Sequence, residues 1–135
     1  MGGSGPGEPH PNEVLLRRLY DAYAARDRAA ICELIAEDCT WNIPGRGPKA
    51  GTHVGRDAIL ELFRDLMRRS AGSATIELHD VLANDTTAVA LQTGTATIDG
   101  RTSALKEVLV HTIRDGRVVD MWEYQFDLYA FDGML

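Results

Sequence analysis

The sequence predicts an α+β protein in which helices come first and an antiparallel sheet follows. In the first half of the chain, apolar residues recur at spacings of three and four, which indicates amphipathic helices. After Ser70, apolar and polar residues alternate, which is the pattern of half-buried strands. Three turn signals then divide this second part into strands: Asn84-Asp85, Asp99-Gly100 and Asp115-Gly116. Helices followed by a meander of strands define the α+β class.

Three helices are predicted, over residues 13–26, 27–38 and 57–69. Asn12 is the expected N-cap of the first helix, because it follows a proline and precedes the first apolar stripe. Each segment has an apolar face that packs on the sheet in the predicted fold. These faces contain Leu15, Leu16, Leu19, Tyr20, Tyr23, Ala30, Ile31, Leu34, Ile35, Ile59, Leu62, Phe63, Leu66 and Met67.

A short strand over residues 39–44 is predicted between the second and third helices, and a glycine-rich loop, 45–55, follows it. Four further strands are predicted at 75–83, 86–98, 103–113 and 117–131. The last of them is rich in β-branched and aromatic residues.

The last predicted strand has two very different faces, because strand side chains alternate. One face is aromatic: Trp122, Tyr124 and Phe126. The other face is largely polar, so it is either wet or lines a cavity. It contains Met121, Glu123, Gln125 and Asp127, of which we expect Glu123 to reach solvent at the far end of the sheet.

The length and composition of the chain indicate one domain, residues 12–135. Residues 1–11, which precede it, are expected to be a disordered tail or a cloning remnant. A net charge of −6 disfavours nucleic acid. No apolar run approaches the roughly 20 residues of a membrane span, and no signal peptide opens the chain, so we expect a cytoplasmic protein without a membrane partner. Cys32 and Cys39 are interpreted as reduced thiols. The histidines lack metal-ligand spacing, so neither a metal nor a cofactor is predicted.

The order of these elements resembles the nuclear-transport-factor-2-like superfamily, which includes SnoaL-like polyketide cyclases, limonene epoxide hydrolase and ketosteroid isomerases. The resemblance covers residues 12–131. It is carried by residues 38–45 (DCTWNIPG), by Gly51 with 55–59 (GRDAI), and by 115–131, which is most similar to the SnoaL-like and epoxide-hydrolase branch. It implies a conical fold, with three N-terminal helices packed on a curved antiparallel sheet that encloses a pocket.

The resemblance also implies site residues. Asp127 matches an acid–base aspartate at the end of the last strand, and Asn42 matches an asparagine that holds the attacking water of epoxide hydrolases. The arginine and second aspartate of those hydrolases fall on Ala90 and Gln92. The isomerase base and oxyanion-hole acid fall on Ile43 and near Val110, so that mechanism is not inherited.

We therefore predict Asp127 as a general acid/base, because a carboxylate in an apolar cone has a raised pKa. The alternative is that it ends the strand or caps the last turn. Asn42 and Gln92 are predicted to position water or substrate, and a tyrosine hydroxyl can donate to an oxyanion. The predicted substrate-binding residues are Tyr20, Tyr23, Trp41, Phe63, Val108, Val110 and Gln125.

The leading hypothesis is a cofactor-independent cyclase or isomerase of SnoaL-like type, acting on a small apolar molecule in a biosynthetic pathway. An epoxide-hydrolase-like hydrolase and a non-catalytic binding or dimerisation domain are the alternatives. An aromatic row on the outer face of the sheet, Trp122, Tyr124 and Phe126, predicts a homodimer.

Overall fold

A computed structural model describes residues 7–134 of the chain. The first part of the predicted tail, residues 1–6, lies outside the described residues. The rest of it meets the domain at His10, which caps the first helix in place of Asn12. The Nδ1 atom of His10 accepts a hydrogen bond from the backbone N–H of Asn12 at 3.0 Å, and its Nε2 atom lies 2.9 Å from Asp85. Pro11 occupies the first helical position, where its missing N–H is not needed.

The described part of the chain contains four helices and six strands. The helices are α1 (Pro11–Ala25), α2 (Arg28–Leu34), α3 (Arg56–Arg69) and α4 (Leu128–Met134). The strands are β1 (Ile35–Ile43), β2 (Gly51–Val54), β3 (Thr75–Ala83), β4 (Thr87–Ile98), β5 (Arg101–Arg114) and β6 (Arg117–Gln125).

All six strands form one sheet in the order β2-β1-β6-β5-β4-β3. The meander predicted for β3 to β6 is confirmed, with each strand antiparallel to the next. β1 pairs in parallel with β6 on one side and antiparallel with β2 on the other. Register shifts in β3 and between β5 and β6 bend the sheet. The result is the α+β class expected from the sequence.

Three boundaries differ from the prediction. α2 ends at Leu34 and β1 begins at Ile35, because Ile35 pairs with Val118 of β6 and both side chains are fully buried. The loop after β1 contains a short strand, β2, which pairs with β1. The last strand stops at Gln125, and α4 occupies most of the remainder.

The main core lies between α1, α2 and α3 and one face of the sheet. Its most completely buried large side chains are Leu16, Leu19, Ile35, Ile59 and Met121. Within residues 7–134, no helix is both long and apolar enough to cross a membrane.

Candidate functional site

A cavity of about 680 Å³ lies between the helices and the inner face of the sheet. Four aromatic residues from α1, β1 and α3 form one wall in edge and tilted contacts. The ring centroids of Tyr20 and Tyr23 are 5.4 Å apart, those of Tyr23 and Phe63 5.0 Å, and those of Trp41 and Phe63 5.3 Å. Other apolar lining residues are Ile31, Ile43, Leu60, Leu62, Ala96, Leu105, Leu109, Met121 and Phe131.

Polar side chains interrupt this apolar surface where β4, β5 and β6 run side by side. Gln92 pairs with Glu107 across β4 and β5, and Glu107 pairs with Gln125 across β5 and β6. Glu123 lies two residues before Gln125 on the same face of β6, so it points to the same side of the sheet. Two carboxylates and two amides therefore meet at one place on the inner wall.

A chain of hydrogen bonds connects these groups. The Tyr20 hydroxyl donates to Oε1 of Gln92, and Nε2 of Gln92 donates to Oε1 of Glu107 at 2.8 Å. Nε2 of Gln125 donates to Oε2 of Glu107 and, at 2.8 Å, to Oε2 of Glu123. Glu107 thus accepts a hydrogen bond on each oxygen, while one amide bridges it to Glu123.

A glycine makes room for one of the carboxylates. A Cβ atom at Gly94 would lie 2.6 Å from Oε1 of Glu107, closer than atoms can approach without a shift. The missing side chain lets the Glu107 carboxylate lie against β4, within reach of Gln92. We infer that Gly94 shapes the site as directly as the polar residues do.

Burial changes the acidity of this cluster. Burial, and then the charge of Glu107, raise the pKa of Glu123 from 4.5 to about 7, although its hydrogen bond with Gln125 acts in the opposite direction. Burial also raises the pKa of Glu107, opposed by the amides of Gln125 and Gln92. Tyr20 is buried beside them, and burial raises the pKa of its phenol as well. The pair therefore holds a proton near neutral pH.

Two buried polar atoms lie near the carboxylates. Within the described residues, Nε1 of Trp41 and Oε1 of Gln125 are buried without a hydrogen-bond partner. The Trp41 indole lies close enough to Glu123 to favour its charged form, but makes no hydrogen bond of normal geometry to it. The hydrogen bond that Glu123 accepts from Gln125 falls on its other oxygen, Oε2. A basic carboxylate and an N–H donor are thus present at the same wall.

The structure brings several sequence-predicted residues to the cavity and leaves others outside it. Those that line it are Tyr20, Tyr23, Trp41, Phe63 and Gln92. Gln125 lies behind the lining and holds the two carboxylates in place.

Asp127 is not in the cavity, which corrects its predicted position. β6 ends two residues before it, and its exposed side chain caps α4 by accepting the backbone N–H of Ala130 at 3.0 Å. This is the alternative that the sequence left open for Asp127. Glu123, which was expected to reach solvent, is 6% exposed and takes the place in the cavity instead.

Asn42 also lies on the opposite side of the sheet from the cavity. Its amide donates to Oδ1 of Asp120 and to the carbonyl of Met121, both at 3.0 Å. Its own oxygen accepts a hydrogen bond from Thr52 at 2.7 Å. Because its neighbours in sequence, Trp41 and Ile43, face inward, alternation turns Asn42 outward.

Val108 and Val110 require the same correction. They pair with Tyr124 and Trp122 on the outer face of β5 and β6, so they do not line the cavity. The residues of β5 that line the cavity are Leu105, Glu107 and Leu109. Sequence reasoning missed Glu107 and Glu123 as a pair, although the pattern that placed Gln125 inward also placed Glu123 there.

Metal ligation has no support in the described residues, where no three His, Cys, Asp or Glu side chains converge to hold an ion.

Residues 16–121 match the family profile of the SnoaL-like domain, so the chain belongs to the SnoaL-like family. It is similar to the uncharacterized protein Rv0034 of Mycobacterium tuberculosis, with 29% identity over 84% of this chain and 87% of that protein. It is also similar to Bal32a from a soil-derived mobile gene cassette, with 32% identity, a TM-score of 0.89, and coverage of 92% of this chain and 95% of that one. TerC, crystallised with polyporic acid, shares the fold at 23% identity and a TM-score of 0.79, over 92% of this chain and 97% of its own.

Proposed function

We propose that this protein is a cofactor-independent acid–base enzyme that catalyses a cyclisation or isomerisation of a small, mostly apolar molecule. The observation that carries the proposal is Glu123, a carboxylate buried in an apolar cavity with a pKa of about 7. A base is most effective when its pKa is near the pH at which it works. The complex of TerC with polyporic acid supports an organic small molecule as the kind of ligand that this fold holds.

In the proposed reaction, each residue of the site has a defined role. Oε1 of Glu123 accepts a proton from a carbon next to a substrate carbonyl, and the indole N–H of Trp41 donates to the oxygen on which negative charge develops. The proton then returns from Glu123 to another position of the same molecule. Atoms and charge balance without a cofactor, which suits an isomerisation or a ring closure. Glu107, Gln92 and Gln125 position Glu123 and set its acidity.

Carboxyl-carbon NMR tests the acid–base part of this proposal. We expect Glu123 to titrate with an apparent pKa near 7, with Glu123→Gln as the assignment control. Glu107→Gln should lower that value, because the charge of Glu107 raises it. Titration of Glu123 near 4.5 would contradict the proposal.

Proton abstraction can be measured with 2-tetralone, an apolar ketone whose acidic C–H exchanges in D₂O. The wild-type protein should accelerate deuterium incorporation, and Glu123→Gln should lower the rate by about 100-fold or more, the usual contribution of a general base. If deuterium enters 2-tetralone at the same rate with either protein as in buffer alone, the proposal that this protein abstracts a proton from carbon is wrong.

A non-catalytic binding domain is the second candidate. It is favoured by the exposed position of Asp127, the residue to which the family resemblance assigned acid–base work. A protein that binds apolar molecules, but whose rate of 2-tetralone exchange equals that of buffer, would belong to this class. The hydrolase alternative has less support, since Asn42 lies outside the cavity and is committed to Asp120 and Thr52.

A further inference from the structure

The mouth of the cavity carries positive charge, in contrast to the chain as a whole, whose net charge is −6. Five cationic side chains belong to its lining, and all are exposed or half-buried. They come from the turn between α1 and α2, from α2 and α3, and from the loop before β2. Asp65 is the acidic residue beside them among the described residues that line the cavity, since Glu107 and Glu123 lie on the sheet wall, on β5 and β6. The five cations are Arg26, Arg28, Lys49, Arg64 and Arg69.

Two of these cations are already neutralised by neighbours. Lys49 forms an ion pair with Asp65 at 3.1 Å, and Arg64 forms one with Glu61 at 3.2 Å. The other three, Arg26, Arg28 and Arg69, make no ion pair within residues 7–134. Arg26 is held in position by a 2.9 Å hydrogen bond from its Nη2 to the carbonyl of Gly72. Arg26 and Arg28 thus have no carboxylate partner in the described structure, while Arg69 lies close enough to Asp65 for its charge to act on that carboxylate.

The part of the cavity around Glu107 and Glu123 disfavours an anionic group, in contrast to the mouth. Glu107 and Glu123 would repel an anionic group there, and the apolar wall between them and the mouth would leave such a group without hydrogen-bond donors. An anion can therefore bind favourably only at the mouth, where arginine forks match the geometry of a carboxylate or sulfonate. The lining of the cavity thus combines exposed or half-buried cations with an apolar wall and two carboxylates on the sheet.

We propose that the ligand of this cavity is an organic anion, in which an apolar body with rings lies against the aromatic wall and an acidic group is held at the mouth by Arg26, Arg28 and Arg69. This inference rests on the proposed function, because the body must extend from the mouth to Glu123. It narrows the substrate class from apolar molecules in general to amphipathic acids. It also assigns binding roles to three arginines for which the sequence predicted no role in binding.

A pair of fluorescent probes with the same ring skeleton tests this inference. 1-Anilinonaphthalene-8-sulfonate carries an acidic group, and N-phenyl-1-naphthylamine lacks it. At low ionic strength we expect the sulfonate to bind about tenfold more tightly than the neutral probe. Added salt should reduce this preference, because the charges at the mouth are accessible to solvent.

Single substitutions identify the residues responsible. Arg28→Gln and Arg69→Gln should each weaken binding of the sulfonate by about three- to tenfold and leave the neutral probe unchanged. Arg18→Gln is the matched control, because Arg18 is an exposed helical arginine that does not line the cavity. Tyr124→Ser should leave the affinities for the sulfonate and for the neutral probe unchanged. That result would exclude binding of the probes to the outer face of the sheet.

The outcomes separate this inference from the proposed function. Equal affinities for the two probes, unaffected by either arginine substitution, would overturn the anion inference and leave the apolar cavity of the proposed function intact. Loss of sulfonate binding only in Tyr124→Ser would also overturn the inference. If neither probe binds to the folded protein, both proposals fail.

Discussion

Glu107 and Glu123 lie on neighbouring strands with one amide, that of Gln125, bonded to both. Two like charges at this separation in a poorly hydrated site are costly, so the pair is most stable when it holds one proton. Their titration steps then belong to the pair as a whole. Gln92 and Gln125 both donate to Glu107, which makes Glu107 the better-stabilised anion and Glu123 the better proton acceptor.

Glu123→Gln should stabilise the folded protein at alkaline pH. The folded-state pKa, about 7, lies above the ordinary value of 4.5, so the folded state holds this proton more tightly than the unfolded state does. The contribution of Glu123 to stability is therefore complete below pH 4.5 and is lost as pH rises to about 7. By linkage, the loss is on the order of 3 kcal/mol. Urea unfolding at pH 5 and pH 8 measures it.

The matched control for this prediction is Glu33→Gln, which alters an exposed carboxylate on α2. It should leave the difference in unfolding free energy between the two pH values unchanged. If Glu123→Gln behaves like this control, Glu123 is not desolvated and the acid–base assignment loses its basis.

The sequence predicted which side chains line the cavity better than it predicted which of them carries the buried carboxylate. Tyr20, Gln92 and Trp41 could be placed in the cavity because the helical and strand periods orient them. Asp127 could not be placed correctly, because alternation says which residues share a face but not where the strand ends. Because β6 ends at Gln125, two residues before Asp127, the buried carboxylate of the site is Glu123 and not Asp127.

Among the secondary-structure elements, α4 has the most direct effect on the cavity. It follows β6 after a turn and places Phe131 and Met134 in the cavity lining. Two aspartates hold it: Asp127 caps its first turn, and Asp132 accepts the backbone N–H of Arg46 at 3.1 Å. The second contact joins α4 to the loop after β1 and so holds this part of the cavity lining in place.

Asp127→Ala should loosen α4 without changing the titration of Glu123. Removal of an N-cap side chain costs about 1 kcal/mol, because a backbone N–H loses its acceptor. Hydrogen exchange at the amide of Ala130 should therefore become faster. Asp127→Ser keeps a capping oxygen and should restore the protection.

The same pair of variants separates capping from catalysis. If Asp127→Ser abolishes the exchange of 2-tetralone as completely as Glu123→Gln does, the carboxylate of Asp127 takes part in the reaction after all.

The elements that were predicted correctly have strong local patterns, and those that were missed depend on tertiary contacts. Asp99-Gly100 and Asp115-Gly116 identify the hairpins of the meander from sequence alone. β2 contains only four residues, Gly51–Val54, and is a strand because β1 offers it an edge. α4 was missed because its aromatic residues also fit a strand.

The whole molecule leaves an aromatic surface uncovered on the outer face of the sheet. Trp122 is 48% exposed and Tyr124 53%, and Phe126 continues the row beyond the end of β6. Exposed aromatic side chains in a row are costly in water and typical of an interface. We expect a second copy of the chain to cover this surface in a twofold-symmetric dimer.

Tyr124→Lys should convert this dimer to a monomer, because a buried ammonium group at the interface would lack a partner. Light scattering at micromolar concentration measures the mass. Glu77→Lys, an exposed charge change on the edge strand β3, is the control and should leave the dimer intact. A wild-type protein that is monomeric under these conditions would contradict the expectation.

The parallel pairing of β1 with β6 also constrains how the chain folds. Thr40 and Asp120 are in contact across this pair although 80 residues separate them in sequence. The meander can form from local hairpins, but this pairing requires the closure of a long loop, which is slower. Trp41 lies on β1 and Glu123 on β6, so the cavity wall becomes complete only when these two strands pair, late in folding. Newly synthesised chains should therefore acquire a stable sheet before they acquire the ability to bind a ligand.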